Sequence, residues 1–161
     1  LLDAGGTWDP RFLAIHHNTR ELRFLDWIHA NNSTWSDYAA DKTPVDAFTY
    51  SPGAEITVPV EVMCDLCNVL TCDPWFTLPH LFTDQSVTDF ATDVLNNLDP
   101  SLRAKFEWSN EVWNSGFDQF TYALNQSNAD WGAGTDDARC RGAGLDIRPR
   151  RRCAALVGRG R

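Results

Sequence analysis

Residues 59–108 read PVEVMCDLCNVLTCDPWFTLPHLFTDQSVTDFATDVLNNLDPSLRAKFEW, and their periodicity predicts helix, strand, helix and strand in turn. Val60, Met63, Cys64, Cys67 and Leu70 fall on one helical stripe, with Pro59 well placed at the first turn. Residues 74–79 are a compact aromatic run flanked by prolines and closed by His80, which predicts a strand. Asp84 is placed to cap the next helix, whose Val87, Phe90, Ala91, Val94, Leu95 and Leu98 recur at spacings of three and four until Asp99-Pro100 stops it. Residues 104–108 then predict another strand.

The same alternation extends outward. Upstream, Asp9-Pro10 opens a short helix carrying Phe12, Leu13 and Ile15, and residues 22–27 form a first strand. A polar stretch from 31 to 57, with Trp35, Tyr38, Phe48 and Tyr50 set among Ser, Thr, Asn, Asp, Pro and Gly, predicts an elaborated loop. Downstream, residues 117–125 begin a helix with Phe117, Phe120, Thr121 and Leu124 inward. Strands one βα unit apart imply an α/β fold with a parallel sheet and right-handed crossovers. Sites in such sheets lie at the carboxyl ends of the strands, whether the sheet is open or closed into a barrel. Pattern alone leaves both architectures open.

The length of 161 residues suits one domain or one piece of a larger one. With 43% apolar, 12% aromatic and 22% charged residues, the chain can pack a core, which excludes wholesale disorder and fibrous classes. No window approaches the ~18 uncharged apolar residues of a membrane helix, so no membrane partner is expected. No signal peptide is visible, although one upstream in a longer precursor would not be seen here.

Residues 1–138 carry 21 acidic and six basic side chains, a net of −15, whereas residues 139–161 carry eight Arg and one Asp, a net of +7. So acidic a body repels a phosphate backbone, and no nucleic acid partner is expected. The tail, RCRGAGLDIRPRRRCAALVGRGR, shows neither helical nor strand periodicity. It reads as a disordered Arg/Gly-rich arm or as a segment foreign to the fold, and the second reading accounts better for its change of vocabulary. The predicted domain is therefore 1–138, with 139–161 set apart.

The five cysteines do not form a disulfide framework: Cys64, Cys67 and Cys72 crowd together, and Cys140 and Cys153 lie in the tail. The Cys-x-x-Cys pair lacks a second pair at zinc-module spacing, so these side chains read as core and no metal or cofactor is expected.

Residues 103–114, RAKFEWSNEVWN, resemble the fourth-strand signature of clan A glycoside hydrolases, which are (β/α)8 barrels. Phe106, Glu107, Asn110 and Glu111 match its apolar strand with an internal Glu and a terminal Asn-Glu pair. LRFLDW resembles the second strand, with Arg23 at the matching Arg, and WFTLPH resembles the third, with His80 at its end. The three motifs occur in the family's order over residues ~8–130. They also resemble clan-like bacterial proteins labelled cellulose-binding.

The resemblance implies a truncated TIM barrel, about strands two to four, from a protein acting on or binding β-linked polysaccharide or oligosaccharide, in an extracellular or periplasmic setting. Retaining glycosidases use two carboxyl groups roughly 5–5.5 Å apart, one protonating the leaving oxygen and one attacking the anomeric carbon. By resemblance Glu111 is the acid/base, Asn110 binds the sugar 2-hydroxyl, Arg23 keeps the nucleophile ionised, and His80 binds substrate or orders the nucleophile. Two departures stand out: Val112 replaces a frequent Pro, and the second carboxylate belongs to a seventh strand that no part of this chain fits. The chain by itself is therefore expected to be inactive, and a non-catalytic carbohydrate-binding or structural barrel is the alternative.

Other residues carry expectations of their own. Trp113 and Trp35 are candidate sugar platforms, and Trp108 should face the outer helices. Glu107 should make interior polar contacts, and Arg23 could instead pair with Asp26 or another buried acid. Sequons begin at Asn31, Asn32 and Asn125 and matter only in a secreted eukaryotic protein.

Overall fold

The computed structural model describes residues 8–47, 49–50 and 57–131, so the arginine-rich tail lies outside the described residues. Helix α1 (Pro10–His16) starts where the Asp9 carboxylate accepts from the Arg11 amide at 2.7 Å, with Pro10 in the first turn. Strand β1 (Glu21–Phe24) is shorter than the predicted 22–27, because the chain bends at Asp26–Ile28 into a single turn of 3₁₀ helix. The polar stretch that follows is not wholly irregular. It holds the one-turn helix α2 (Tyr38–Asp41), capped by Asp37 onto the Ala40 amide.

Helix α3 (Val60–Leu70) buries Val60, Met63, Cys64, Leu66 and Cys67 and ends at Thr71, whose left-handed backbone (φ 54°) turns the chain sharply. Two backbone bonds close that turn, Thr71 N–H to Asn68 O at 3.3 Å and Cys72 N–H to Cys67 O at 3.1 Å, the pattern of a Schellman motif. The chain thus re-enters the sheet directly as β2 (Asp73–Leu78).

Helix α4 (Asp84–Asn97) is capped by Thr83 rather than Asp84. Thr83 has the extended backbone a cap requires and accepts from the Ser86 amide at 3.1 Å, which leaves Asp84 in the first turn, where its charge suits the helix dipole. The sheet-facing arc is Val87, Phe90 and Val94, with Leu98 partly buried. Leu95, predicted to lie inward, is 80% exposed, because one residue beyond Val94 rotates it off that arc.

Strand β3 (Lys105–Trp108) completes a parallel sheet of order β1-β2-β3, with Arg23 opposite Trp75, Phe76 opposite Phe106 and Thr77 opposite Glu107. Among the described residues the fold is therefore mixed α/β: three parallel strands and five helices. Alternation along the strands separates two faces. Phe24, Phe76, Leu78 and Phe106 enter the core with Phe90 and Met63, while Glu21, Arg23, Trp75, Thr77, Lys105 and Glu107 line the opposite, polar face. The fully buried Phe76 ring lies 5.6 Å from Phe24, 5.3 Å from Phe90 and 5.8 Å from Phe106.

Helix α5 (Asp118–Trp131) corrects a second stripe. Its buried side chains include Gln119, Ala123 and Ser127; Phe117, Phe120 and Leu124 are half-buried and Thr121 is exposed. The helix turns a polar and small-residue face inward, and hydrophobic periodicity cannot register such a face.

Candidate functional site at the carboxyl ends of the strands

Strand β1 holds Arg23 on the polar face, where its guanidinium reaches across β2 to β3. Its Nη2 donates to Glu107 Oε2 at 2.7 Å and to Asn110 Oδ1 at 3.0 Å, and Nε donates to the same Glu107 oxygen at 3.2 Å. Thr77 Oγ1 on β2 donates to that oxygen at 3.2 Å, and the guanidinium lies 5.0 Å from the Trp75 ring centroid. Of the acids open to it, Arg23 pairs with another one, Glu107, whose side chain is 34% exposed, while Asp26 Oδ1 accepts from Asn31 Nδ2. Glu107 makes the interior polar contacts expected of it.

The Ser109 N–H donates to Leu78 O at 2.8 Å, which carries the β2–β3 pairing one residue past the strand end. Asn110 follows and is only 6% exposed. Its Nδ2 donates to Asn31 Oδ1 at 3.0 Å, and its carbonyl accepts from Gln119 Nε2 at 2.9 Å. Gln119 is fully buried and fully used: Nε2 also donates to Asn31 Oδ1 at 2.9 Å, and Oε1 accepts from the Asn32 amide at 3.0 Å. Asn32 Oδ1 in turn accepts from the Asp118 amide. One amide side chain on α5 therefore clamps the loop after β1 to the loop after β3. Gln119, Asn31, Asn32 and Thr77 had not been predicted as site residues; the available signal was the isolated Gln within an aromatic helix, and Asn31-Asn32 read only as glycosylation sequons.

Backbone conformation marks the same region. Five non-glycine residues among those described have positive φ, and four lie in these loops: His29 (54°) and Asn32 (50°) after β1, Ser109 (60°) and Glu111 (43°) after β3. Such conformations persist where surrounding contacts over-determine them, and they gather at binding and catalytic positions.

Glu111 is exposed immediately after the clamped Asn110, and its Oε2 accepts from Asn114 Nδ2 at 2.9 Å. Trp113, two residues on, is 60% exposed. Trp35 is not available as a platform: it is 5% exposed and stacked at 6.5 Å and 10° on Phe82, inside the core. Its polar neighbours in sequence gave no sign of this. Trp108 is on the outer side of the sheet near the Tyr122 ring of α5, as expected, though it stays 45% exposed. The structure therefore joins Arg23 directly to Asn110 and places Glu111 beside them. No hydrogen bond among the described residues ties His80 to this group.

His80 is buried two residues past β2, edge-on to Tyr122 at 5.2 Å, with no hydrogen-bond partner for Nδ1 among the described residues. Burial holds its pKa below the ordinary histidine value, against a smaller opposing pull from Asp118. The unfolded chain takes up the proton first, so His80 contributes stability above about pH 6.5, and that stability is lost as pH falls through the folded value. The difference between the melting temperatures of wild type and His80→Phe, followed from about pH 8 to about pH 5, should shrink or reverse towards acid. A pH-independent difference would show that His80 does not titrate in this way.

Among the described residues no group of three His, Cys, Asp or Glu is placed to hold a metal ion. Comparison of the chain with protein-family models, with curated proteins and with solved structures gave no match.

Proposed function

We propose that the chain contributes about strands two to four of a (β/α)8 barrel whose carboxyl-end rim acts on a β-linked polysaccharide or oligosaccharide with retention, Glu111 serving as acid/base. The reading rests on one juxtaposition: an exposed Glu111 directly follows Asn110, which is buried and bonded to Arg23 across the sheet. A parallel sheet with an apolar face under helices, and with Arg23, Thr77 and Glu107 stacked on the other face, suits a barrel wall, whose inner side is filled by layers of side chains from successive strands.

In this role Glu111 donates its proton to the glycosidic oxygen, and a carboxylate from a later strand attacks the anomeric carbon. Among the described residues the Asn110 Nδ2 donates only to Asn31, which leaves its second hydrogen for a sugar hydroxyl. Arg23 is committed to Glu107, so its part is to hold Asn110 in place rather than to face the nucleophile. A polymeric substrate suits an extracellular or periplasmic setting.

The second reading, a carbohydrate-binding barrel without turnover, draws on Trp113, whose exposed ring offers a stacking face beside the rim. The chain itself tests the common part of both. Titrating the 161-residue protein with β-linked oligosaccharides should shift the tryptophan fluorescence, with Trp113→Ala weakening the response and no reducing ends released. No response up to millimolar sugar would remove the carbohydrate reading.

A further inference from the structure

Helix α3 ends in a Schellman motif, a geometry that brings the side chain two residues past the helix against the one at its fourth-last position. Here those positions are Cys72 and Cys67. Their backbones are joined by the 3.1 Å bond from Cys72 N–H to Cys67 O, and both side chains are buried. The contact is usually apolar, and two thiols satisfy it with the option of a covalent bond. We propose that Cys67 and Cys72 are a disulfide-forming pair that locks the end of α3 to the start of β2.

The left-handed Thr71 between them fixes the turn, and Asp73 anchors its far side, its N–H donating to Arg20 O at 3.0 Å and its Oδ1 accepting from the Arg103 amide at 2.8 Å. Cys64, one turn earlier on the same helix, is buried in the core without this cap geometry.

The reaction needs an oxidant, and a small-molecule disulfide such as glutathione disulfide suffices. One cysteine, as thiolate, attacks a glutathione sulfur and releases a glutathione thiolate. The other, deprotonated in turn, attacks the mixed disulfide and releases the second. Two protein thiols become one disulfide while glutathione disulfide is reduced to two thiols, which take up both protons. Burial raises the pKa of all three thiols, that of Cys64 to about 12, and keeps Cys67 and Cys72 out of reach of a dissolved oxidant in the folded chain. The bond therefore forms while the chain folds and is shielded afterwards.

The full chain, reduced and unfolded, is refolded in a glutathione and glutathione disulfide buffer, then unfolded again and alkylated for mass spectrometry. Cys67 and Cys72 should escape alkylation and appear in one cross-linked fragment. Cys64→Ser should keep the link, and Cys72→Ser should expose Cys67 to alkylation. Full alkylation of Cys67 and Cys72 in the wild type would overturn the proposal. So would a link from either of them to Cys64, Cys140 or Cys153. The wild-type result stands whether or not a variant folds, and it does not depend on the carbohydrate reading, because the pair sits at the opposite end of β2 from the rim.

Discussion

Glu111→Gln, in a protein carrying the strands that follow, should lower turnover of an unactivated β-linked substrate by roughly 10²–10⁴-fold, the range general acid catalysis supplies. Glutamine has the same shape but no proton to give, so the departing sugar must leave as an alkoxide. Substrates with acidic phenol leaving groups need little protonation, and their glycosylation step should be nearly spared. The substitution should not disturb the fold, since Glu111 is exposed and a glutamine oxygen can still accept from Asn114. The check is the ratio of kcat/KM on activated and unactivated substrates, with product stereochemistry read by NMR. An equal loss on both substrate classes would take the acid role away from Glu111, and undiminished turnover would place the chemistry elsewhere.

Phe76→Ala should cost about 3–5 kcal/mol of folding stability, in the range for a buried aromatic truncated to alanine. Phe76 is fully buried in the central strand and in ring contact with one aromatic from each neighbouring strand and one from α4. No side chain from the polar face can swing in to fill the void. Against a typical domain stability of about 5–15 kcal/mol, that loss is a large fraction of the whole. Urea titration followed by circular dichroism measures the shift, with Leu95→Ala as a surface control expected within about 0.5 kcal/mol of wild type. A Phe76→Ala cost below about 1 kcal/mol would mean that the sheet and α4 do not pack as described.

The strands and the parallel order were legible because each strand is bounded by chemistry of its own: prolines around 74–79, and Asp99-Pro100 ahead of 104–108. Helix faces were less so. Leu95 continues an apolar pattern by composition, yet only the docking angle of α4 decides which residues of the pattern meet the sheet. Thr83 and Asp84 are both competent caps, and the choice lay in where the backbone turned helical. Trp35 misled because the ring that buries it, Phe82, stands in a segment with no periodicity. At the rim, Arg23, Asn110 and Glu111 were found through motif resemblance, whereas Gln119 was invisible: a buried amide is specified by partners 88 and 87 residues away, Asn31 and Asn32, and no local pattern encodes that.

Those distant partners also set the order in which the rim can come into being. Asn31, Asn110 and Gln119 meet only after the three strands have aligned and α5 has docked, and their bonds are polar. Closing such long loops earns nothing until both ends are held, so the clamp belongs to the last stage of folding and to the first stage of its reversal. The rim should therefore open locally while the aromatic core stays intact, at a free energy below that of global unfolding. A ligand bridging the two loops would draw its affinity partly from holding the rim shut, and it would reveal itself as slowed amide exchange at residues 31–32 and 109–111 with no change around Phe76.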